Sequence, residues 1–477
     1  QGNAARGYQL GVGVLCAIAV VMFLCCFFWV RERVPLSTMG KFTLREHLAG
    51  LRNNDQLLLM LVMYIERIAV LCILGPEYNL ANDDMGYIGG GITFAATGTV
   101  AIYQVSPSAM IMPGMPVLLG LFTKLFGQAR LYWVMVKLFW CLMGCITPFL
   151  VYKSVTLFAE KKYGLLAAAA FLLPNLAWMD NVILTETPYY LCFTATIYCT
   201  LAMGRSRKTG YFAGYVIAYM AGLMLRPTIG IMPVFTAVYL LVKKFPFWQL
   251  LKRLVINGLV LMMFLVPWTV RNYEHFDAFI PLTYGSGNPL LLGTYQGFGC
   301  PTDEELDYET NVEQVWREEY AEYLDENGDP LDDGMKQYLT LEKDGIKAAY
   351  RMDAWWDTSP LTMLLSYLVI KPAVMVVKTF YWVELFGVPS IVLDVLRVAD
   401  FFLCCVSVLL CFKRKQFRME VGFLAAVYWI YIYMIAMTYA FSRYGETLMC
   451  LRYMIVGIGL HLLVEEWNKH KAVKKTS

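Results

Sequence analysis

Long apolar runs separated by short polar segments dominate the chain. A helix needs about 17 to 25 apolar residues to cross the hydrocarbon core of a bilayer, and about eleven runs approach that length. They lie at 9–30, 56–76, 130–152, 163–179, 184–203, 210–225, 228–242, 253–269, 390–412, 419–440 and 446–465. The runs on either side of Arg226-Pro227 are short, so we expect them to be tilted or extended by their neighbours. The pattern predicts an all-α polytopic membrane protein.

Composition agrees with this class and narrows the partners. Hydrophobic residues make up 58% of the 477 positions and charged residues 16%, which does not fit a water-soluble protein. The net charge of +3 is too small to indicate a nucleic-acid partner. Most of the 13 Cys lie inside apolar runs and the four His are scattered, so neither a disulfide framework nor a Cys/His metal site is predicted.

Basic residues fall in alternate loops and set the predicted orientation. Such loops face the cytoplasm, so we expect the C-terminus there as well. The membrane concerned would be the plasma membrane. The opposite, extracytoplasmic face would then hold the loop 77–129, a turn at 180–186 and the loop 270–389. The basic clusters lie at 31–52, 153–162, 205–208, 243–253, 413–418 and 469–475.

This orientation requires two apolar stretches to lie along the outer interface without crossing. The stretch 112–127 has two prolines and Lys124, and the stretch 361–385 is interrupted by Lys371-Pro372 and Lys378. We expect interfacial helices at both.

Four regions follow from the pattern. Residues 1–55 would form an extra helix with a basic linker, and 56–269 a transmembrane module containing the first outer loop. Residues 270–389 would form the large extracytoplasmic loop, whose part 300–357 is acidic and is interpreted as a small helical cap. Residues 390–477 would supply the last spans and a cytoplasmic tail.

Asp83 and Asp84 are adjacent carboxylates just beyond the span 56–76. Ionisable groups at a membrane face do not cluster for stability, so the pair is a candidate catalytic site. Two like charges this close would raise one pKa, which favours a base that works near neutral pH. The alternative is that Asn82-Asp83-Asp84 caps the start of the following helix.

The order of several short motifs carries a family resemblance over about residues 60–465. The chain resembles the integral-membrane GT-C glycosyltransferases, in the branch of the protein O-mannosyltransferases and the lipid A aminoarabinose transferase. Many relatives have Asp-Glu in place of the Asp pair. The motifs are Asp83-Asp84, a proline-bearing helix ending Lys124-Leu-Phe-Gly127, Thr185-Glu186, Leu225-Arg226-Pro227 and Pro267-Trp-Thr-Val-Arg271.

The first sixty residues differ from this pattern. Ala5-Arg6-Gly7-Tyr8-Gln9, an apolar helix and Arg31-Glu32-Arg33-Val34 resemble the middle of a glycoside–cation symporter. We expect a fused or misassembled N-terminal segment, and the missing initiator Met fits a fragment boundary.

The resemblance implies transfer of a sugar from a polyprenyl-phosphate donor to an extracytoplasmic hydroxyl acceptor, with inversion. The acceptor would be a protein, a glycolipid or a cell-wall polymer. It implies that Asp83, or alternatively Asp84, is the base that takes the acceptor proton. Arg271, Arg226 and Arg443 would hold the donor phosphate. The alternative for these arginines is that they snorkel or pair with Glu186 or Glu446.

Further candidates would support the acceptor side of the site. Glu186 and Asp180 would orient an arginine or the acceptor, while the alternative for Glu186 is a charge that favours the start of the following helix. Together with Asp83 they could hold a divalent cation, a question the spacing leaves open. Tyr284 and Asn288, in Gly-rich segments of the large loop, are candidates for sugar contacts, although such segments are also ordinary turns.

Two other classes fit part of the pattern. A transporter or flippase would have a similar number of spans, but its site would lie near the bilayer midplane, and here the polar residues gather at one predicted face. A lipid-linked polysaccharide polymerase shares the donor and the large loop and is the nearer alternative. The identities of the sugar and acceptor, and the oligomeric state, stay open.

Overall fold

The computed structural model of the chain describes residues 55–476, and every regular element there is helical, with no β-strand. The all-α class predicted from the apolar runs is confirmed. The predicted helix 9–30 and its linker lie outside the described residues. The helices up to residue 276 are α1 Asp55–Leu74, α2 Asp83–Thr97, α3 Gly114–Phe126, α4 Arg130–Thr156, α5 Lys161–Ala169, α6 Pro174–Met179, α7 Glu186–Ser206, α8 Thr209–Leu225, α9 Met232–Val242 and α10 Phe247–Phe276.

The remaining helices form the large loop and the C-terminal part. They are α11 Gly287–Thr294, α12 Gln314–Glu319, α13 Lys336–Thr358, α14 Pro360–Leu365, α15 Lys371–Val377, α16 Ser390–Arg414, α17 Arg418–Ala436, α18 Ser442–Glu446 and α19 Met449–Thr476. Short 3₁₀ turns at Ala170–Leu172, Pro227–Ile231, Ala321–Tyr323 and Asp333–Met335, and π turns at Glu309–Glu313 and Ser366–Ile370, connect or extend them.

Each predicted span between residues 56 and 465 coincides with a helix or a helix pair, but fewer are long and apolar enough to cross a membrane. Seven segments of the described chain meet that test: Asp55–Leu74, Arg130–Thr156, Phe247–Phe276, Pro360–Val377, Ser390–Arg414, Arg418–Ala436 and Ser442–Lys469. The predicted span 163–179 is broken by the turn at Ala170–Leu172 and by Pro174. Helix α7 is rich in Thr and Tyr, and most of its side chains are buried against other helices. It is therefore less apolar than the seven segments and is not among them.

Pro360–Val377 meets the test for a span, although the sequence predicts an interfacial segment there. Near its start, the Trp355 indole donates to Thr362 (2.9 Å), and just after its end the backbone N–H of Phe380 donates to Glu446 (2.9 Å). Midway, Lys371 donates to the carbonyl of Thr438 (3.2 Å). The segment therefore contacts α13 near its start and α18 just after its end, and its interfacial location stays a prediction.

The core of the large loop is a hydrophobic cluster that it shares with the first loop and α10. Trp316 and Tyr338 pack with Phe276 and Tyr284 in a cluster separate from the core of the helix bundle. The Tyr284 hydroxyl donates to Gln337 (2.8 Å), and Ser108 of the first loop donates to the same amide oxygen (2.6 Å). The large loop is therefore a folded unit fastened to the first loop.

A buried ion pair fastens α1 to the segment before α7. Arg67 and Asp180 are almost completely buried, with Nε of Arg67 2.8 Å from Oδ2 of Asp180. Arg67 also donates to the carbonyl of Phe171 (3.1 Å), and Thr187 donates to Asp180 (2.9 Å). Gly144 leaves the room for this carboxylate, because a Cβ there would lie 2.0 Å from it.

Replacing Arg67 by Met leaves Asp180 buried without its cation. Removing one partner of a buried pair costs about 3–5 kcal/mol, so we expect a strong fall in the melting temperature of the detergent-solubilised protein. The double variant Arg67→Met/Asp180→Leu removes both charges and should recover much of the loss. If the single variant Arg67→Met melts at the same temperature as the unchanged protein, this account is contradicted.

Candidate active site

Asp83, the first residue of α2, is held by side chains from two distant segments. The Tyr103 hydroxyl donates to Oδ1 (2.7 Å), and the Arg443 guanidinium donates to Oδ2 (2.5 Å). Its side chain keeps 27% of its surface exposed. Asp83 is therefore a carboxylate that a small molecule can reach.

The balance of effects on Asp83 favours its ionised form. Burial raises the pKa of the carboxyl, but the positive charge of Arg443 and the hydrogen bonds from Tyr103 and Arg443 outweigh it, with a contribution from Arg226. The pKa of Asp83 therefore lies below its ordinary value. The sequence predicts one raised pKa in the adjacent pair, and for Asp83 the direction is downward, because the cation of Arg443 and the two hydrogen bonds favour the charged form; its role as the base stays a prediction.

Asp84 has a different environment from Asp83. It is fully buried, and its oxygens accept the backbone N–H groups of Leu80 (2.5 Å), Asn82 (3.0 Å) and Met85 (3.0 Å). Asn82, at the N-cap position of α2, makes no side-chain capping bond. Asp84 thus organises the turn that presents Asp83.

Arg443 also reaches a second carboxylate. Its Nε lies 3.3 Å from Oε1 of Glu186, which is completely buried at the start of α7. The same Glu186 oxygen accepts a hydrogen bond from Arg226, and Arg226 Nε donates to Thr185 (2.8 Å). Asp83, Arg443, Glu186 and Arg226 therefore form one chain of alternating charge, which we call the charge chain.

The arginines of the charge chain share an aromatic neighbour. The guanidinium carbons of Arg226 and Arg443 lie 5.1 and 5.2 Å from the centre of the Tyr444 ring. Their side chains are 15% and 13% exposed, so they reach the surface next to Asp83. Paired guanidinium groups at such a place suit a phosphate, whose oxygens accept the planar fork of N–H donors.

The sequence interpretation missed Tyr103. This residue adopts a left-handed backbone conformation (φ 60°) that a non-glycine residue rarely takes, and its ring is mostly exposed. Its ring lies over Gly86, where a Cβ would come within 2.3 Å of it. A separation of twenty residues from Asp83 follows no helical or strand period, so the sequence contained no signal for this contact.

Arg271 does not join the other two arginines in the contacts described. It is buried and donates to the backbone carbonyls of Ser108 (3.0 Å) and Val100 (3.2 Å) and to the side chain of Asn272 (2.8 Å). Its guanidinium lies 5.0 Å from the Trp268 ring. These contacts connect α10 to the loop that carries Tyr103, while its role at a donor phosphate stays a prediction.

Asp180, Tyr284 and Asn288 also lie apart from the charge chain in the contacts described. Asp180 pairs with Arg67, Tyr284 belongs to the core of the large loop, and Asn288 donates to Asp344 (3.1 Å). Within residues 55–476 no group of three or more His, Cys, Asp or Glu residues could hold a metal ion. The structure thus does not gather Asp83, Glu186 and Asp180 into the cation site that the sequence left open.

Part of the chain matches a known protein family in sequence. Residues 106–270 match the family model of the dolichyl-phosphate-mannose-protein mannosyltransferases. This match confirms the resemblance to that branch of the GT-C glycosyltransferases. The matched stretch contains Glu186 and Arg226 but not Asp83 or Arg443. No curated protein matches the chain in sequence.

Solved structures of membrane glycosyltransferases are similar to the chain at low identity. The oligosaccharyltransferase AglB from Archaeoglobus fulgidus, in complex with an inhibitory peptide and a dolichol-phosphate, is 12% identical with a TM-score of 0.49. The match covers 90% of this chain and 52% of that one, so the chain spans about half the length of AglB. ArnT from Cupriavidus metallidurans, bound to undecaprenyl phosphate, is 14% identical with a TM-score of 0.35, over 87% of this chain and 78% of that one.

The different environments of the adjacent aspartates predict different responses to amide substitution. Asp84→Asn replaces one acceptor oxygen by an NH₂ group facing backbone N–H groups, which leaves buried donors unpaired and costs about 1–3 kcal/mol. Asp83→Asn changes a partly exposed group and should alter the melting temperature much less. Thermal unfolding in detergent measures both variants, and equal destabilisation would contradict the division of roles.

Proposed function

We propose that this chain is a membrane glycosyltransferase that moves a sugar from a polyprenyl-phosphate donor to a hydroxyl acceptor on the extracytoplasmic face, with inversion. The observation that carries the proposal is the accessible carboxylate of Asp83 beside the guanidinium of Arg443. A base for the acceptor and a cation for the leaving group are both needed for this reaction, and here they are adjacent.

In this mechanism Asp83 takes the proton of the acceptor hydroxyl. The acceptor oxygen attacks the anomeric carbon of the donor from the side opposite the phosphate and forms the new glycosidic bond. The bond between the anomeric carbon and the phosphate oxygen breaks, and its electron pair leaves with the phosphate. The products are the inverted glycoside, the lipid phosphate and a protonated Asp83.

The charge chain provides the electrostatics of this step. Arg443 and Arg226 would bind the donor phosphate and stabilise the negative charge that develops on it. Glu186, completely buried between them, fixes both guanidinium groups before the donor arrives. A phosphate that draws Arg443 toward itself would weaken the pair with Asp83 and raise the pKa of that carboxyl, which makes it a better base.

The family match favours mannose as the first donor to test. Purified protein in nanodiscs, given dolichyl-phosphate mannose or undecaprenyl-phosphate mannose, should release free polyprenyl phosphate. Asp83→Asn should lower this rate by roughly 10²- to 10⁴-fold, because the base is lost. Glu420→Gln, which alters a buried carboxylate paired with Lys243 elsewhere in the bundle, is the control and should retain the rate. Full activity of the Asp83→Asn variant would overturn the proposed base.

Tyr103→Phe removes one hydroxyl that stabilises ionised Asp83 and leaves the ring in place. The pKa of Asp83 should therefore rise, and the variant should lose the ionised base at a higher pH than the unchanged enzyme does. The acid limb of kcat/KM should move to higher pH. Tyr323→Phe removes a hydroxyl that donates to Asp277 of the large loop and serves as the control. An acid limb that coincides in all three proteins would contradict the role of Tyr103.

A further inference from the structure

We infer that Glu446 and Arg397 are positioning residues that hold the short helix α18 so that Arg443 reaches Asp83 and Glu186. This inference rests on the proposed function, because it assigns Arg443 to the active site. Neither residue contacts Asp83 in the structure, so their effect would pass through Arg443.

Glu446 is the anchor of α18. It is buried, its Oε1 accepts Arg397 (2.5 Å) and the backbone N–H of Phe380 (2.9 Å), and its Oε2 accepts the amide of Asn175 (3.3 Å). Three separate segments therefore converge on one carboxylate, three residues after Arg443. A buried carboxylate with this many donors has one well-defined position.

Arg397 connects this anchor to the end of α15. Besides Glu446, it donates to the carbonyls of Met375 (2.8 Å) and Val376 (3.2 Å). The last carbonyls of a helix lack partners within the helix, and a cation there also complements the negative end of the helix dipole. Arg397 thus ties α15, α16 and α18 together.

Gly445 shows how closely α18 lies against α15. A Cβ on Gly445 would sit 2.3 Å from the Met375 carbonyl oxygen and 2.6 Å from Arg397. Because the first of these atoms is backbone, a side chain at 445 would have to push α18 away. On the other side of Arg443, Gln296 exchanges two hydrogen bonds with the backbone of Ala440 (2.7 and 3.0 Å). The segment that carries Arg443 is therefore fixed at both ends.

The geometry makes the position of Arg443 sensitive to the anchor. Arg443 must reach Asp83 and Glu186 at once, and its pair with Asp83 has a heavy-atom distance of 2.5 Å. A displacement of about 1 Å in a catalytic group can cost about 10²-fold in rate. Substitution of the anchor should therefore lower kcat more than it raises KM.

The experiment compares Gly445→Ala and Glu446→Gln with Glu420→Gln, which removes the charge of a buried glutamate paired with Lys243 elsewhere in the bundle. Release of polyprenyl phosphate from the donor found active is followed against pH, and melting temperatures are recorded. We expect kcat to fall roughly 10- to 10²-fold in the two anchor variants. We also expect the acid limb of kcat/KM to move to higher pH, since Asp83 loses the nearby charge of Arg443 while Tyr103, Tyr87 and Arg226 still face it.

The acid limb separates positioning from a purely structural role. The inference is overturned if the two anchor variants have lower melting temperatures but the same kcat and the same acid limb of kcat/KM as Glu420→Gln. Cryo-electron microscopy of Gly445→Ala gives a test that does not depend on activity. Arg443 displaced from Asp83 supports the inference, and Arg443 in an unchanged position overturns it. If the unaltered protein releases no polyprenyl phosphate, the proposed function fails and this structural comparison alone decides the inference.

Discussion

The candidate site depends on one guanidinium that serves two carboxylates. Arg443 lies between Asp83, which is partly exposed, and Glu186, which is completely buried. Away from water a single unpaired charge is costly, so the completely buried Glu186 is tolerable only because Arg443 and Arg226 are in place. The arrangement joins α2, α7, the Arg226 turn after α8 and α18, although these elements are far apart in sequence. Removing Arg443 would therefore affect fold and chemistry together.

Three further buried arginines in the described chain are paired with carboxylates in the same way. Arg67 pairs with Asp180, Arg397 with Glu446, and Arg452 Nε lies 2.7 Å from Asp400. Helices whose facing surfaces are mostly apolar can slide or rotate against one another at small cost, whereas an ion pair with several hydrogen bonds fixes one register. These pairs give the bundle a defined geometry that apolar packing alone would specify less sharply.

Much of this architecture could be predicted from the sequence, and the reason is physical. The apolar runs locate the helices because lipid or other helices must cover them. Asp83, Glu186, Arg226 and Arg443 lie near helix ends on one predicted face, and in the structure their side chains form one charge chain, while their roles in the reaction stay a prediction.

Other features were beyond sequence reasoning. Arg271 looks equivalent to Arg226 in the pattern, since both end apolar helices, yet its guanidinium is engaged by the carbonyls of Ser108 and Val100. The Tyr103 contact and the Arg67–Asp180 pair arise from loop paths and helix rotations that no local period records. The sequence also could not separate Asp83 from Asp84, because only the turn before α2 decides which carboxylate faces the backbone.

The contrast between α7 and α10 has a mechanical consequence. Helix α7, which begins at Glu186, is mostly enclosed by other helices, whereas α10 exposes large apolar side chains such as Leu259, Met262 and Met263 along its length. A change in bilayer thickness would therefore create a hydrophobic mismatch at α10, whose surface is exposed, and much less at α7. Arg271, near the end of α10, donates to carbonyls of the loop that carries Tyr103, so this loop is attached to a helix with an exposed apolar surface, whereas Glu186 belongs to an enclosed one.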